Sequence, residues 1–502
     1  MTPKSQTVPL QQIQFNQLIF DWSYQFLSHE DIRDFAQRRL PNDFNDIKTR
    51  LLEGKYTNAT ESRPVSHTLC RNSDVLNNAE SKRFIEIVKL LRKGEWLGAT
   101  GEAITDVVNI GVGGSDLGPL MSSFALKEFA TDKNARVAHT HFVSSMDGEQ
   151  LHVELPHLNP ETTLFIVASK SFGTADTFAN VDTVKTWALE RLNIHGKTES
   201  DWLQNHLVAV SAYPEKMDAF GIPRKNQLAM NEGVGGRFSL WSAMGLSIAI
   251  SCGLDVFERL LSGARDMDEH FATAPIEKNI PMLMALLGVY NREVRAINNL
   301  AILPYDGRFL HVPSYLQQLD MESNGKQCSA DNKAINYPTG PIVWGAFGPN
   351  GQHAFFQHLH QGFDKFAADF LMVLQRKGPG FSLAVQSSLA DQQELSVANC
   401  LAHRKLMAYG SEDGTARNYY PGGHPSNLLA LKELTPESFG AIIAAYEHKV
   451  FTQGVIWNLN SFDQPGVELG KKIAVKTLAA IQNRSDDSFD ESTDSFIKMT
   501  RD

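Results

Sequence analysis

Val107-Val108-Asn109-Ile110 runs without a break into Gly111-Val112-Gly113-Gly114-Ser115-Asp116-Leu117-Gly118. A short run rich in β-branched residues, then a small-residue loop, then a helical pattern is how a βα unit of a parallel sheet reads. The texture recurs around it. Residues 139–143, 164–168 and 207–210 form similar runs, each leading into a loop and a helical pattern. Further along, 300–304, 342–345, 370–374 and 428–431 read as strands, and 310–322, 353–360 and 436–453 as helices. The expected fold is therefore α/β, with two parallel-sheet units in tandem. Residues 1–100 read as mainly helical, from apolar residues at helical spacing in 19–27 and 84–97.

With 502 residues the chain is long enough for two or three packed units. Apolar residues at 42% and charged residues at 21% exclude a disordered, coiled-coil or collagen-like chain. The net charge of −10 argues against a general nucleic-acid binder, which clusters Lys and Arg to neutralise phosphates. Cys70, Cys252, Cys328 and Cys400 lie far apart, so they read as reduced structural thiols of a cytoplasmic protein, with neither a zinc site nor a disulfide framework. Residues 1–12 are polar and lack the apolar centre of a secretory signal. The most apolar stretch, 240–254, is too short for a membrane span and is expected to be a buried core helix. The Ser/Asp-rich end from Arg484, with Asp486, Asp487, Asp490, Glu491 and Asp494, reads as a solvated terminus.

Six segments carry side chains suited to chemistry. In the 111–118 loop the sixth position of a dinucleotide fingerprint is Asp116, which would repel a pyrophosphate, so that reading fails. A ligand-cradling turn and a plain βα turn both remain open there. Ser169-Lys170-Ser171-Phe172-Gly173-Thr174-Ala175-Asp176-Thr177 places four hydroxyls and one lysine at a helix start. Such donors at a positive helix end suit a phosphate monoester, although a serine-rich N-cap uses the same residues. Gly233-Val234-Gly235-Gly236-Arg237 offers a fixed positive charge beside small residues; an ordinary surface arginine is the alternative. Glu322, at the end of Gln317-Gln318-Leu319-Asp320-Met321-Glu322, is either a general base or a solvated helix-end carboxylate. His353 sits at a loop–helix junction, where an acid/base role and a structural one both fit. With His358 and His360 it shares no helical face, so no metal cluster is expected. Lys471, near the start of the last long helix, is a proton donor or a surface lysine.

Taken together, from Asn58 to Lys471, these segments resemble the glucose-6-phosphate isomerase family. Its most specific pieces here are Val234-Gly235-Gly236-Arg237-Phe238-Ser239-Leu240-Trp241-Ser242, residues 317–326, Tyr446-Glu447-His448, Gly454-Val455-Ile456-Trp457-Asn458 and Ser461-Phe462-Asp463-Gln464. The resemblance implies two sugar-isomerase (SIS) domains, at 101–265 and 266–483, with an N-terminal helical region (1–100) packing on the second and an acidic tail (484–502). It implies interconversion of D-glucose 6-phosphate and D-fructose 6-phosphate through a cis-enediol, in glycolysis and gluconeogenesis, without metal or cofactor. By the same resemblance Glu322 is the base, His353 the ring-opening histidine, Lys471 its partner and Arg237 the charge stabiliser. Ser169, Lys170, Ser171, Thr174 and Thr177 would hold the phosphate, and Gly114, Ser115, Gly236, Gln318 and Gln464 the sugar. A homodimer with the histidine supplied across subunits is implied too, and no membrane or nucleic-acid partner. Where the family usually carries a glutamate, a threonine and a glutamine, this loop has Asp176, Gly173 and Ala175, and Pro465 replaces a frequent tryptophan. A non-catalytic sugar-phosphate sensor has no reason to keep this complete set, and the nicotinamide dehydrogenase reading is weakened by Asp116.

Overall fold

The computed structural model describes residues 9–72, 79–130, 132, 135–137, 139–376, 381–411, 415–485 and 487–501. Residues 1–8 and Asp486, on which two of the expectations above partly rest, lie outside them. The chain forms two compact units, residues 1–461 and 462–502.

The first unit holds both large sheets. An antiparallel hairpin, β1 (Gln12–Phe15) and β2 (Leu18–Asp21), comes first, then a short ribbon of β3 (Thr57–Asn58) and β4 (Arg63–Pro64). Five parallel strands follow: β5 (Asp106–Gly111), β6 (His139–Val143), β7 (Thr163–Ala168), β8 (Leu207–Ser211) and β9 (Gln227–Ala229), in the order β6-β5-β7-β8-β9. Val107 pairs with Leu164 and Ile110 with Val167, so the C-terminal ends of β5 and β7 are level. Both strands are almost wholly buried. Helices on both faces explain why such strands read as continuous apolar runs rather than alternating ones.

The second sheet is built on β10 (Asn299–Pro304), β11 (Ile342–Gly345), β12 (Ala367–Gln375) and β13 (Ser426–Glu433), all parallel. Its order is β1-β2-β13-β12-β10-β11. Every expected strand of the two α/β units is present, and the α/β fold class stands. The expected helix over 19–27 is corrected: Leu18–Asp21 is strand β2, pairing antiparallel with β13. Leu18 and Phe20 are buried against that sheet, and pairing with a strand 400 residues away outweighs a local helical spacing. The apolar stretch 240–254 is buried as expected but is not one helix. It is divided into a 3-10 segment (Gly236–Trp241), helix Leu246–Cys252 and the start of helix Leu254–Thr273. Gly253 makes the last break at φ +106, a backbone geometry that only glycine adopts without strain.

The second unit carries a 3-10 turn (Pro465–Val467), helix Glu468–Ile481 and helix Glu491–Met499. Pro465 fits because it occupies the first position of its turn, where no N–H is needed. The acidic terminus is not simply a solvated end. Asp490 caps the last helix, and Glu491 and Asp494 lie in its first turn, where the helix dipole favours negative charge.

Among the described residues no helix is long and apolar enough to cross a membrane. The four cysteines are free thiols.

Candidate active site

The first strand-to-helix crossing of the five-stranded sheet goes from β5 to β6, and the next returns to β7 on the other side of β5. This makes the C-terminal ends of β5 and β7 the topological switch point, where open α/β sheets bind ligands. Two of the loops singled out from sequence start there.

The first is the glycine loop after β5. Gly113 has φ +59, and a Cβ there would come within 2.8 Å of the Gln318 amide nitrogen. At Gly114 a Cβ would lie 2.1 Å from the Gly236 carbonyl and 2.5 Å from the Arg237 nitrogen. The two glycine segments therefore touch backbone to backbone, a contact that any side chain would prise apart. Ser239 Oγ donates to the Gly114 carbonyl at 3.4 Å, and Asn109 Nδ2 to the Ser115 carbonyl at 3.1 Å. Gly236 itself faces open space.

Asp116, next in this loop, is buried, and one carboxylate oxygen has no hydrogen-bond partner. Burial pushes its pKa from 3.8 up to about 6, opposed by a hydrogen bond with Ser144. Below pH 4 both folded and unfolded chains hold the proton, so the group costs nothing. As pH rises from 4 to 6 the unfolded chain releases the proton first, and stability falls. Above pH 6 the cost is constant, on the order of 2–3 kcal/mol. Asp116→Asn is expected to raise the thermal midpoint at pH 7.5 and leave it unchanged at pH 3.5, which calorimetry at both pH values checks.

The second loop follows β7. Its backbone is pinned to β8: Ser169 N–H donates to the Val210 carbonyl at 3.1 Å, and the Lys170 carbonyl accepts from Ala212 N at 3.0 Å and Ser211 Oγ at 2.9 Å. Phe172 sits at φ +45, a strained position for an aromatic residue. Its buried ring packs on Phe178 and Phe220 at 5.0 and 5.9 Å, anchoring the loop. The loop's hydroxyls converge at the start of helix Ala175–Leu192. Ser169 Oγ and Thr174 Oγ1 are 3.2 Å apart, Thr174 makes no side-chain cap, and the buried Thr177 Oγ1 has no partner. Hydroxyl donors at a positive helix end are of a kind that suits an anion. Ser171 is exposed, and its carbonyl accepts from Lys216 Nζ at 2.6 Å. Burial lowers the Lys170 pKa, while Glu61 and Glu232 raise it and Arg63 and Arg237 lower it further.

Arg237 is the centre of the arrangement. It is buried at 3% exposure. Its Nε donates to Ser323 Oγ at 2.7 Å, its Nη2 to the Ser461 carbonyl at 2.6 Å, and its Nη1 lies 3.3 Å from Glu322 Oε2. Behind it, Tyr315 OH donates to the Arg237 carbonyl at 3.2 Å. Glu322 ends a π-helical turn, Gln318–Glu322, which follows helix Val312–Gln317. Its side chain is 23% exposed, open on one side and facing a fixed guanidinium on the other. Gln318 keeps a buried Oε1 without a partner.

The fold thus joins Gly114, Ser115, Gly236, Arg237, Gln318 and Glu322, with Lys170 within electrostatic range of Arg237. His353 caps the short helix Gly348–Gln352 and is exposed. Lys471 and Gln464 belong to the second unit, where Lys471 is exposed and pairs with Glu468 at 2.9 Å. Sequence reasoning missed Ser323, Ser461 and Tyr315 as the holders of Arg237. Their separations from it are 86, 224 and 78 residues, and no local pattern marks them. Among the described residues no group of three His, Cys, Asp or Glu is placed to hold a metal ion.

Comparison with known proteins identifies the family. Residues 21–497 match the phosphoglucose isomerase family profile. The chain is 61% identical over 487 residues to a glucose-6-phosphate isomerase of Idiomarina loihiensis, covering 96% of this chain and 99% of that protein. It is 45% identical to one of Psychrobacter cryohalolentis, covering 89% and 84%. A crystal structure of a glucose-6-phosphate isomerase from Chlamydia trachomatis superposes with a TM-score of 0.82 at 27% identity, covering 97% of this chain and 92% of that one. Family profile, relatives and backbone agree over almost the whole length, and the chain belongs to the phosphoglucose isomerase family.

Proposed function

We propose that Glu322 and Arg237, with the hydroxyl loop as phosphate anchor, form the centre through which this isomerase interconverts D-glucose 6-phosphate and D-fructose 6-phosphate. The 3.3 Å approach of Arg237 to Glu322, at the sheet's switch point, carries the reading. The phosphate binds Ser169, Thr174, Thr177 and the helix N-terminus, with Lys170 and Ser171 beside it. This remote grip supplies binding energy that orients the reacting carbons. Glu322 takes the proton from C2 and returns it to C1 through a cis-enediol(ate). Arg237, held rigidly by Ser323 and Ser461, stabilises the negative charge on the enediolate oxygens. Gly114, Ser115, Gly236 and Gln318 leave room and polar contacts for the sugar. His353 moves protons in ring opening, and likeness of the motif assigns Lys471 as its partner and Gln464 as a sugar contact. Neither proton transfer nor charge stabilisation calls on a metal, so turnover in the presence of a chelator is expected to match turnover without it.

The exposure of His353 supports a homodimer in which each copy lends this residue to the other. A cytoplasmic enzyme of glycolysis and gluconeogenesis is the setting that fits. A coupled assay for glucose 6-phosphate formed from fructose 6-phosphate tests the activity, and a chain without turnover would sink it. Mixing tests the sharing. Glu322→Gln and His353→Ala chains, each inactive alone, are unfolded, mixed in equal amounts and refolded. About a quarter of the parental activity should return, because half the dimers are hybrids with one complete site each. No recovery, with dimers present by light scattering, would mean that each subunit uses its own histidine.

A further inference from the structure

The turn that carries Glu322 has an unusual backbone. Residues 318–322 form a π turn directly after an α-helix, and such turns are rare and concentrate at functional sites. A chain that leaves the α register for one turn has a close alternative in the ordinary helix, and the choice between them decides where Glu322 points.

Asp320, in the middle of that turn, faces away from solvent at 3% exposure. Lys449 Nζ donates to its Oδ2 at 2.8 Å, and both side chains are 4% exposed. Lys449 belongs to the almost wholly buried helix Pro436–Ile456. The next residue on that helix, Val450, accepts at its carbonyl from Asn324 Nδ2 at 2.9 Å, and Asn324 Oδ1 accepts from Ser461 Oγ at 2.7 Å. Adjacent residues of one buried helix therefore hold the turn at its middle and the chain two residues beyond it. A second buried carboxyl, Asp369, lies nearby, bonded by Asn427 Nδ2 at 2.8 Å and Tyr446 OH at 3.1 Å. Burial raises its pKa, opposed by the Lys449 charge.

A buried ion pair is a poor source of stability, since desolvation offsets its attraction, and its best-attested use is to specify register. On the reading that Glu322 is the base, we infer that Lys449 is a positioning residue, which through Asp320 holds residues 318–322 in the π register and so keeps the Glu322 carboxylate beside Arg237.

The test compares Lys449→Met, the apolar pair Asp320→Leu/Lys449→Met and Glu322→Gln with the parent enzyme. It reads kcat and KM for fructose 6-phosphate per folded chain, and the thermal midpoint. Lys449→Met is expected to lower kcat ~10- to 100-fold with KM within about twofold, because a small misplacement of a reacting group acts on the chemical step. The double variant removes both buried charges, so its midpoint should return close to the parent's while kcat stays low. Recovery of kcat together with the midpoint would reduce Lys449 to a structural role and overturn the inference, as would a Lys449→Met enzyme with parental kcat. Where Lys449→Met fails to fold, the double variant decides the matter alone. An active Glu322→Gln would instead remove the base assignment on which the inference stands, so the two failures are told apart.

Discussion

Glu322→Gln is expected to lower kcat by about 100-fold or more while leaving KM for fructose 6-phosphate within a few-fold of the parent. The amide keeps the size of the side chain and can still accept from Arg237 Nη1, which lies 3.3 Å from the carboxylate. It cannot take up a proton from carbon. Loss of a positioned general base costs roughly 10²–10⁴ in rate, and the loop proposed to grip the phosphate is untouched. Steady-state kinetics in both directions checks this, because the same carboxylate serves the forward and reverse transfers. Retention of more than about a tenth of the activity would be incompatible with Glu322 as the base.

Glu447→Leu is expected to give the largest loss of stability, about 3–5 kcal/mol, read as a fall of roughly 3–5 °C in the thermal midpoint. Glu447 lies behind the site in helix Pro436–Ile456, with no exposed surface on its side chain. It accepts from Arg71, whose side chain is also fully buried, from Trp241 Nε1 at 2.8 Å and from Tyr315 OH at 3.5 Å. Arg71 also pairs with Asp268, stacks over Trp241 at 4.3 Å, and shares Asp268 with His448 at 2.6 Å. Removing the carboxylate strips Arg71 of one counter-charge and leaves the Trp241 indole N–H in the core without an acceptor. The Arg71→Met/Glu447→Leu pair should recover part of the midpoint, because the charge is no longer stranded. Activity of the single variant should fall as well, since Tyr315 also bonds the Arg237 carbonyl.

Much of the molecule was readable without coordinates. The parallel strands β5–β8 and β10–β13 stood out because a strand covered on both faces is an apolar run, while the short β9 did not. The loop after β7 stood out because four hydroxyls and a lysine within nine residues of a helix start are a local pattern. Where local pattern competes with distant pairing, it misleads. The 19–27 stretch has helical spacing, yet its first residues extend as a strand because β13 offers a sheet edge. The acidic end is largely exposed as expected, and its charges also sit at the N-terminus of a helix that they stabilise.

By itself, then, the sequence determined most of the parallel strands of the two large sheets, the hydroxyl-rich loop after β7 and the types of side chain present around it. The tertiary structure decided which of them meet. Gly114 touches Gly236 backbone to backbone, Arg237 reaches Ser323 and Ser461, and Lys449 holds the turn before Glu322 across 129 residues of chain. Such encounters depend on sheet register and on how buried helices pack. Local propensity acts over a few residues and is blind to both.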